Sequence, residues 1–298
     1  MADTTAEAVS SPDAFAKELE RVGYLAGTGV ATAAFLALRM RRPLFCEGEP
    51  GTGKTSLAAA IAEALELPLI RLQCHEGIDA AAALYDWDFP RQLLHLRALE
   101  AAEGGRLHAD EAEQSLYTTR FLLARPLLRA LTESPCVLLV DEIDRADDEF
   151  EAFLLQVLDE NAVTIPELGE VRAEVPPLVV LTSNRTRDVH DALKRRCLYH
   201  WLEHPELARE IAILRRRIPG LSEQLAGQIS SAVRRLRDME LLKPPGVAES
   251  LDWAQALLAL DREVLDADAA AATLGAVLKY REDGARVVRA GLDALLAG

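Results

Sequence analysis

The run Gly48-Glu49-Pro50-Gly51-Thr52-Gly53-Lys54-Thr55 limits what this chain can fold into more than any other stretch. It matches G-x-x-x-x-G-K-[ST], the P-loop that cradles nucleotide phosphates. The pattern needs a strand before it and a helix after it, and both are legible. Pro43-Leu44-Phe45-Cys46 is a short apolar run that predicts a buried strand, and Ser56-Leu57-Ala58-Ala59-Ala60-Ile61-Ala62 opens a helix-favouring stretch. The glycines let the backbone curl so that successive N–H groups face an anion. The helix behind them adds the positive end of its dipole. Lys54 is then placed for the β- and γ-phosphates and Thr55 for Mg²⁺. Glu49, Pro50, Thr52 and Ser56 complete the expected phosphate cradle. ATP and Mg²⁺ are the expected ligands.

Half of the 298 residues are hydrophobic, enough for one large domain or two moderate ones. The formal net charge of −15 argues against a surface built to coat DNA or RNA, which needs a basic face. Four cysteines (Cys46, Cys74, Cys136, Cys197) form no C-x-x-C pair, and three lie in apolar runs that read as strands. That usage predicts buried free thiols in a reduced, cytoplasmic setting. Residues 1–13 are small and polar, which predicts disorder and shows no signal peptide. No apolar run reaches the ~18 residues of a membrane span.

Helices are predicted over 14–22 and 29–41. Tyr24, between them, either packs on a nucleotide base or is a plain core tyrosine. After the P-loop helix, 68–74 predicts a strand. Residues 75–125 are more than a strand-to-helix connection requires. They read as an insert with helices at 78–84 and 89–102 and a strand or extended loop at 116–121. Helix 126–132, a buried strand at 136–140 and helix 147–161 follow. Residues 163–175 read as a β-hairpin. Strand 178–182, helix 188–196 and strand 198–202 come next, and from about 205 the chain is almost purely helical. Strands alternating with helices predict an α/β layered domain with a parallel sheet. The helical tail predicts a second, smaller domain, with boundaries at 14–203 and 204–298.

Three further signals suit phosphate chemistry. Asp141-Glu142 ends the buried strand at 136–140: Asp141 would hold Mg²⁺ through water, and Glu142 would polarise the attacking water. A solvated acidic turn is the plainer reading. Asn184 ends the next buried strand, where its amide can meet the γ-phosphate or the attacking water; it can also be a simple turn cap. Arg195 and Arg196 close the helix after that strand, where they are either a finger toward phosphate or cations favoured by the helix dipole. The six histidines show no metal-binding spacing. Arg215-Arg216-Arg217 reads as a solvated helix face, with an interdomain or nucleotide-facing role as the alternative. Trp87, Trp201 and Trp253 read as packing residues.

This order of parts resembles the AAA+ ATPases. Gly48–Thr55, 137–142, Asn184 and Arg196 look like Walker A, Walker B, sensor 1 and the arginine finger. The run Asp141-Glu142-Ile143-Asp144-Arg145-Ala146 resembles the D-E-I-N-R-A stretch of the MoxR family, with Asp144 where Asn is usual. The insert at 75–125 and the hairpin at 163–175 resemble that family's helix-2 insert and pre-sensor-1 hairpin. The phrases Gly23-Tyr24-Leu25-Ala26, Arg42-Pro43-Leu44 and Leu193-Lys194-Arg195-Arg196-Cys197 are closest to the CoxD-like branch. The resemblance implies a three-layer αβα core with a helical lid, ATP hydrolysis and a homo-oligomeric ring of six subunits. It also implies a von Willebrand A-domain partner and a metalloenzyme client such as a molybdenum hydroxylase of the carbon monoxide dehydrogenase kind. The expected sensor 2 arginine is missing from Gly246-Val247-Ala248-Glu249-Ser250-Leu251, which leaves Arg234, Arg235 or Arg237 as substitutes. The rival readings are a nucleic-acid motor or loader on the same fold and a P-loop small-molecule kinase.

Overall fold

The computed structural model describes residues 9–103 and 115–296. Helices α1 (Pro12–Arg21) and α2 (Thr28–Met40) precede β1 (Leu44–Gly48), which runs into the P-loop; α3 (Lys54–Ala64) leaves it and β2 (Leu69–Gln73) follows. The insert holds α4 (Ala80–Leu84), β3 (Tyr85–Trp87), α5 (Phe89–Glu103) and β4 (Leu122–Ala124). Then come α6 (Pro126–Thr132), β5 (Val137–Asp141), α7 (Asp148–Glu160) and a hairpin of β6 (Ala162–Ile165) and β7 (Gly169–Arg172). β8 (Leu178–Ser183), α8 (Asp191–Arg196) and β9 (Leu198–Leu202) finish the α/β part. The helical region comprises α9 (Leu207–Arg217), α10 (Glu223–Asp238), α11 (Val247–Ala259), α12 (Ala267–Val277), α13 (Arg281–Ala290) and α14 (Leu292–Leu296).

The five-stranded parallel sheet has the order β2-β5-β8-β1-β9. Successive strand residues point to opposite faces, and that sorting makes the layers. Phe45, Leu138, Val140 and Leu181 enter one apolar cluster with α6 and α7 residues such as Leu127 and Leu154. Leu44, Cys46, Val137, Leu139 and Val180 enter another, with Phe15, Ala34 and Leu57 from α1, α2 and α3. A sheet covered on both faces explains why its central strands read as unbroken apolar runs. The helical region has its own core around Trp253, Leu225, Val233 and Leu257.

Two expectations shift. The predicted disordered N-terminus extended to residue 13, and its first eight residues lie outside the described ones. Residues 9–13 are ordered instead, because Val9 is buried in the cluster beside α1 and Ser11 caps that helix by accepting from Ala14 N at 3.1 Å. In the insert, 116–121, expected as a strand or extended loop, ends in a 3-10 turn at Thr119–Phe121, and the strand follows at β4. Pairing of Trp87 with Leu122 and Tyr85 with Ala124 fixes it there, and Phe121 turns inward to bury its ring. The hairpin forms where expected, with Val163 opposite Val171. All four cysteines are buried and unpaired. No helix among the described residues is long and apolar enough to cross a membrane.

One buried ion pair fastens the helical region. Arg237 Nη1 and Nη2 donate to the two Glu210 oxygens at 2.7 and 2.8 Å, Ser250 Oγ donates to Glu210 at 2.6 Å, and Arg237 Nε donates to the Pro245 carbonyl at 2.8 Å. Removing one partner strands a buried carboxylate. Arg237→Leu is therefore expected to cost about 3–5 kcal/mol, measured by urea unfolding followed by circular dichroism.

Candidate functional site

Parallel register brings the C-terminal ends of β1, β5 and β8 to one edge of the sheet, with Glu47 opposite Ser183, Val140 opposite Leu181 and Gln73 opposite Asp141. Open α/β sheets bind ligands at that edge. Here it opens into a cleft of about 880 Å³ between the P-loop, the strand ends and α9 and α11.

Gly53 has φ of +92°, a left-handed conformation that glycine adopts without strain, and it starts α3. Lys54 folds back over the loop. Its Nζ donates to Gly48 O and Glu49 O, both at 2.7 Å. Burial pulls the Lys54 ammonium below the ordinary lysine value, against the opposing pull of Asp144, Asp141 and Glu142. Thr52 Oγ1 braces the loop by donating to Glu49 O at 2.9 Å. Pro50, Gly51 and Ser56 line the cleft, whereas the Glu49 carboxylate lies 2.8 Å from His204 Nε2. That contact ties the loop to the segment entering α9. Burial, opposed by Glu49, lowers the His204 pKa.

Asp141 divides its two oxygens. Oδ1 accepts from Thr55 Oγ1 at 3.0 Å and Thr182 Oγ1 at 2.5 Å; Oδ2 accepts from Arg71 at 2.6 Å. The Thr182 hydroxyl also accepts from Glu142 N at 2.9 Å, which fixes the turn after β5. Glu142 sits at φ +57°, turned out of the strand toward the cleft. Its Oε2 accepts from Gln73 Nε2 at 3.1 Å and from Arg145 at 3.3 Å; its Oε1 lies 3.5 Å from Asn184 Nδ2. Asp144 pins the segment that carries Asn184. Its Oδ2 accepts from Asn184 N at 3.2 Å, Thr186 N at 2.8 Å and Thr186 Oγ1 at 2.7 Å.

The residues present fit the expected ligands. A curled loop at a helix N-terminus with a lysine at hand suits phosphate. A hydroxyl and a carboxylate oxygen 3.0 Å apart at Thr55 and Asp141 suit a hard cation that completes its shell with phosphate and water. Among the described residues no group of three or more His, Cys, Asp or Glu is placed to hold a metal.

The sequence-predicted residues thus converge, apart from the arginines. Tyr24 lines the cleft and burial raises its pKa well above the ordinary phenol value. Arg195 and Arg196 lie outside it, and Arg196 Nε donates to Asp159 Oδ1 at 2.6 Å. The suggested sensor 2 substitutes also fall elsewhere. Arg237 is consumed by Glu210, Arg235 donates to Leu295 O, and Arg234 lines a separate surface hollow. Instead Arg209 and Arg217, on α9, line the cleft. Arg217 therefore takes the nucleotide-facing alternative for the arginine run, and Arg216 the interdomain one, by donating to Glu20 O. Trp201, expected to be packing alone, lines the cleft beside His200. Gln73, Arg71 and Arg209 carried no local pattern that marks them; only strand register and helix docking bring them in.

One junction between the two parts is backbone on backbone. Val247 N donates to Gly51 O at 3.0 Å, and a Cβ at Gly246 would meet Gly51 Cα at 2.7 Å and Pro50 O at 2.8 Å. The Glu249 carboxylate caps α11 by accepting from Gly246 N at 2.9 Å.

The family described as AAA domain (dynein-related subfamily) matches residues 43–197, just over half of the chain. The chain belongs to that AAA family. Midasin of Giardia intestinalis is 32% identical over 133 residues, 44% of this AAA protein and 2% of midasin. An uncharacterized protein of Staphylococcus saprophyticus is 25% identical over 165 residues, covering 53% and 54%. The cell division control protein 48 homolog B of Arabidopsis thaliana is 29% identical over 168 residues, covering 55% and 23%. The AAA protein thus spans about half the length of the staphylococcal relative and far less of the other two. Among solved structures, the RuvB Holliday junction branch migration motor of Thermotoga maritima aligns over 96% of this chain and 82% of its own, at 16% identity and a TM-score of 0.47.

The glycine junction yields a prediction. Gly246→Ala should push α11 off the P-loop and weaken nucleotide binding about tenfold, the scale of a ~1–3 kcal/mol overpacking cost. Gly275→Ala, with open space around its Cβ, should leave binding unchanged. Titration of fluorescent ADP compares the two.

Proposed function

We propose that this AAA protein hydrolyses ATP in a ring and uses that energy to remodel another protein in the manner of MoxR-type chaperones. One observation carries the reading: the Glu142 carboxylate, held by Gln73, Arg145 and Asn184, stands beside the Thr55–Asp141 pair while Arg196 stays outside the cleft. The roles follow from these placements. Lys54 and the loop amides bind the phosphates, and Thr55 and Asp141 hold Mg²⁺, which neutralises charge on the phosphate oxygens when bound. Glu142 accepts a proton from the attacking water, and Asn184 orients it. Tyr24 and Trp201 supply apolar surface for a base. Residues 14–203 act as the nucleotide-binding domain and 204–298 as its lid.

An arginine outside its own cleft reaches a γ-phosphate only if a second subunit brings one. That contact is head-to-tail, which makes a ring where the rotation closes; the family resemblance favours a closed hexamer. The same resemblance favours a cytoplasmic role with a von Willebrand A-domain partner in maturing a metalloenzyme, of the molybdenum hydroxylase class for the CoxD-like branch. The net charge of −15 weighs against a nucleic-acid motor or loader. A small-molecule kinase has no use for Asn184, Arg196 and a helical lid in this order.

Mutagenesis separates the roles. Lys54→Ala should lose most ATP affinity. Glu142→Gln should bind ATP yet barely turn it over. Arg196→Ala should leave the subunit's ATP affinity unchanged while cutting turnover by about 10³-fold or more. Mixing Arg196→Ala with Glu142→Gln subunits should restore some activity, read as phosphate release. Full turnover by Glu142→Gln, or a rate independent of protein concentration, refutes the reading.

The β6–β7 hairpin and the insert stand apart from the parallel sheet, and surplus loops on such scaffolds carry function. They are the proposed contacts for partner and client. Shortening the hairpin tip at 167–170 should leave ADP binding intact and abolish activation of the client metalloenzyme, assayed by its own turnover.

A further inference from the structure

Helix α8 is short, and the carbonyls at its end need donors from elsewhere. Arg42 supplies them. Its Nε donates to Arg196 O at 3.0 Å, and its Nη2 donates to Arg195 O at 2.7 Å and Cys197 O at 3.4 Å. The next residue joins the grip, since Pro43 O accepts from Leu198 N at 2.8 Å. Arg42 and Pro43 thus clasp the α8–β9 turn from both sides, immediately before β1. A guanidinium here also meets the negative end of the helix dipole.

The same helix end carries Arg196. Its Nε–H is engaged by Asp159 on α7, and its other N–H groups have no hydrogen-bond partner among the described residues. A guanidinium offers five N–H donors in a rigid fork. With one donor held and the rest free, the side chain keeps an open edge for an anion, the arrangement that favours paired contacts to phosphate oxygens. The Arg196–Asp159 pair is half exposed, at 48% and 42%, and such a pair contributes about 1 kcal/mol or less. It steadies the side chain but does little to place the backbone beneath it. That placement falls to Arg42.

We propose that Arg42 is a positioning residue for catalysis in the adjacent subunit: it fixes the end of α8 so that Arg196, braced by Asp159, meets the neighbour's γ-phosphate. The proposal rests on the ring reading above and deepens it. Because Arg42 leads directly into β1 and the P-loop, the finger offered to one neighbour is anchored on the strand that cradles the subunit's own nucleotide. Misplacing a reacting group by an ångström costs about 10²-fold in rate, so loss of the clasp should be felt in turnover and not in binding.

The test uses the full chain with Arg42→Ala, Arg42→Lys and Arg196→Ala, each checked by thermal melting. Fluorescent ADP titration and ATP turnover at ring-forming concentration are the readouts. Arg42→Ala is expected to keep ADP affinity within about twofold while turnover falls by about 10²-fold. Arg42→Lys, which keeps the charge but loses the fork, should recover only part of that loss and guards against a folding defect in the alanine variant. Adding Glu142→Gln subunits to Arg42→Ala subunits should raise turnover, because some interfaces then join an intact Glu142 to a clasped Arg196. No rise on mixing overturns the proposal, as does a parallel loss of ADP affinity, which would place the effect in the subunit's own P-loop. If Arg196→Ala is severe and Arg42→Ala mild, the finger stands and the clasp alone is refuted. If Arg196→Ala is mild, Arg196 is not the finger and the clasp proposal fails with it.

Discussion

A buried ammonium needs acceptors, and the turn before α3 exists in a form that supplies them. With Gly48 O and Glu49 O both 2.7 Å from Lys54 Nζ, the loop cannot uncurl without stranding the charge. The curl determines where β1 ends, and the end of β1 determines what faces it. Parallel register then leaves the turn after β5 and the turn after β8 opposite the loop. Three carboxylates, on Asp141, Glu142 and Asp144, pull the lysine pKa back up against its burial. Each has neutral or cationic donors of its own, so the acidic cluster does not depend on Lys54 alone. Asp141 in particular leans on Arg71 with one oxygen and on two threonines with the other.

Helix α7 keeps the rest of the site in proportion. Near its start, the buried Glu151 accepts from His190 N at 2.8 Å and pairs with Arg187. Near its end, Asp159 holds Arg196. The chain between β8 and β9 is therefore fastened at two points to one rigid rod. Asn184 and Arg196 are proposed to serve different nucleotides, and they are held separately: Asn184 through Asp144, Arg196 through α7. A shift of α7 would displace Arg187, His190 and Arg196 together.

Much of this was legible in the sequence because the central strands are buried on both faces. Val137-Leu138-Leu139-Val140 has no polar residue to confuse its reading, and the acidic pair that follows marks where the strand leaves the core. The P-loop was legible because its chemistry is local: eight consecutive residues make the curl, the dipole and the cation. What escaped was whatever depends on distant partners. Arg42 looks like any surface arginine until α8 ends beside it. Arg209 reaches the cleft only because α9 docks there, and its helix shows no pattern that singles it out. The N-terminus misled for a related reason. Its composition is polar, but one valine and one serine are enough to seat residues 9–13 against α1 and its neighbours.

The meeting of Gly51 and Gly246 has a consequence for how the two parts communicate. Where side chains join two bodies, the joint is soft: rotamers absorb small displacements and salt weakens charged contacts. At Gly51 and Gly246 the contact is main chain on main chain, with Val247 N on Gly51 O at 3.0 Å. No rotamer at that point can absorb a displacement, unlike the side-chain contacts of His204 with Glu49 and Arg216 with Glu20 O. A tilt of α11 is passed directly to the Gly51 peptide, and strain in that peptide returns to the helix by the same route. The joint is a bearing surface more than a bond, and its stiffness limits how far the C-terminal helices can move independently of the loop.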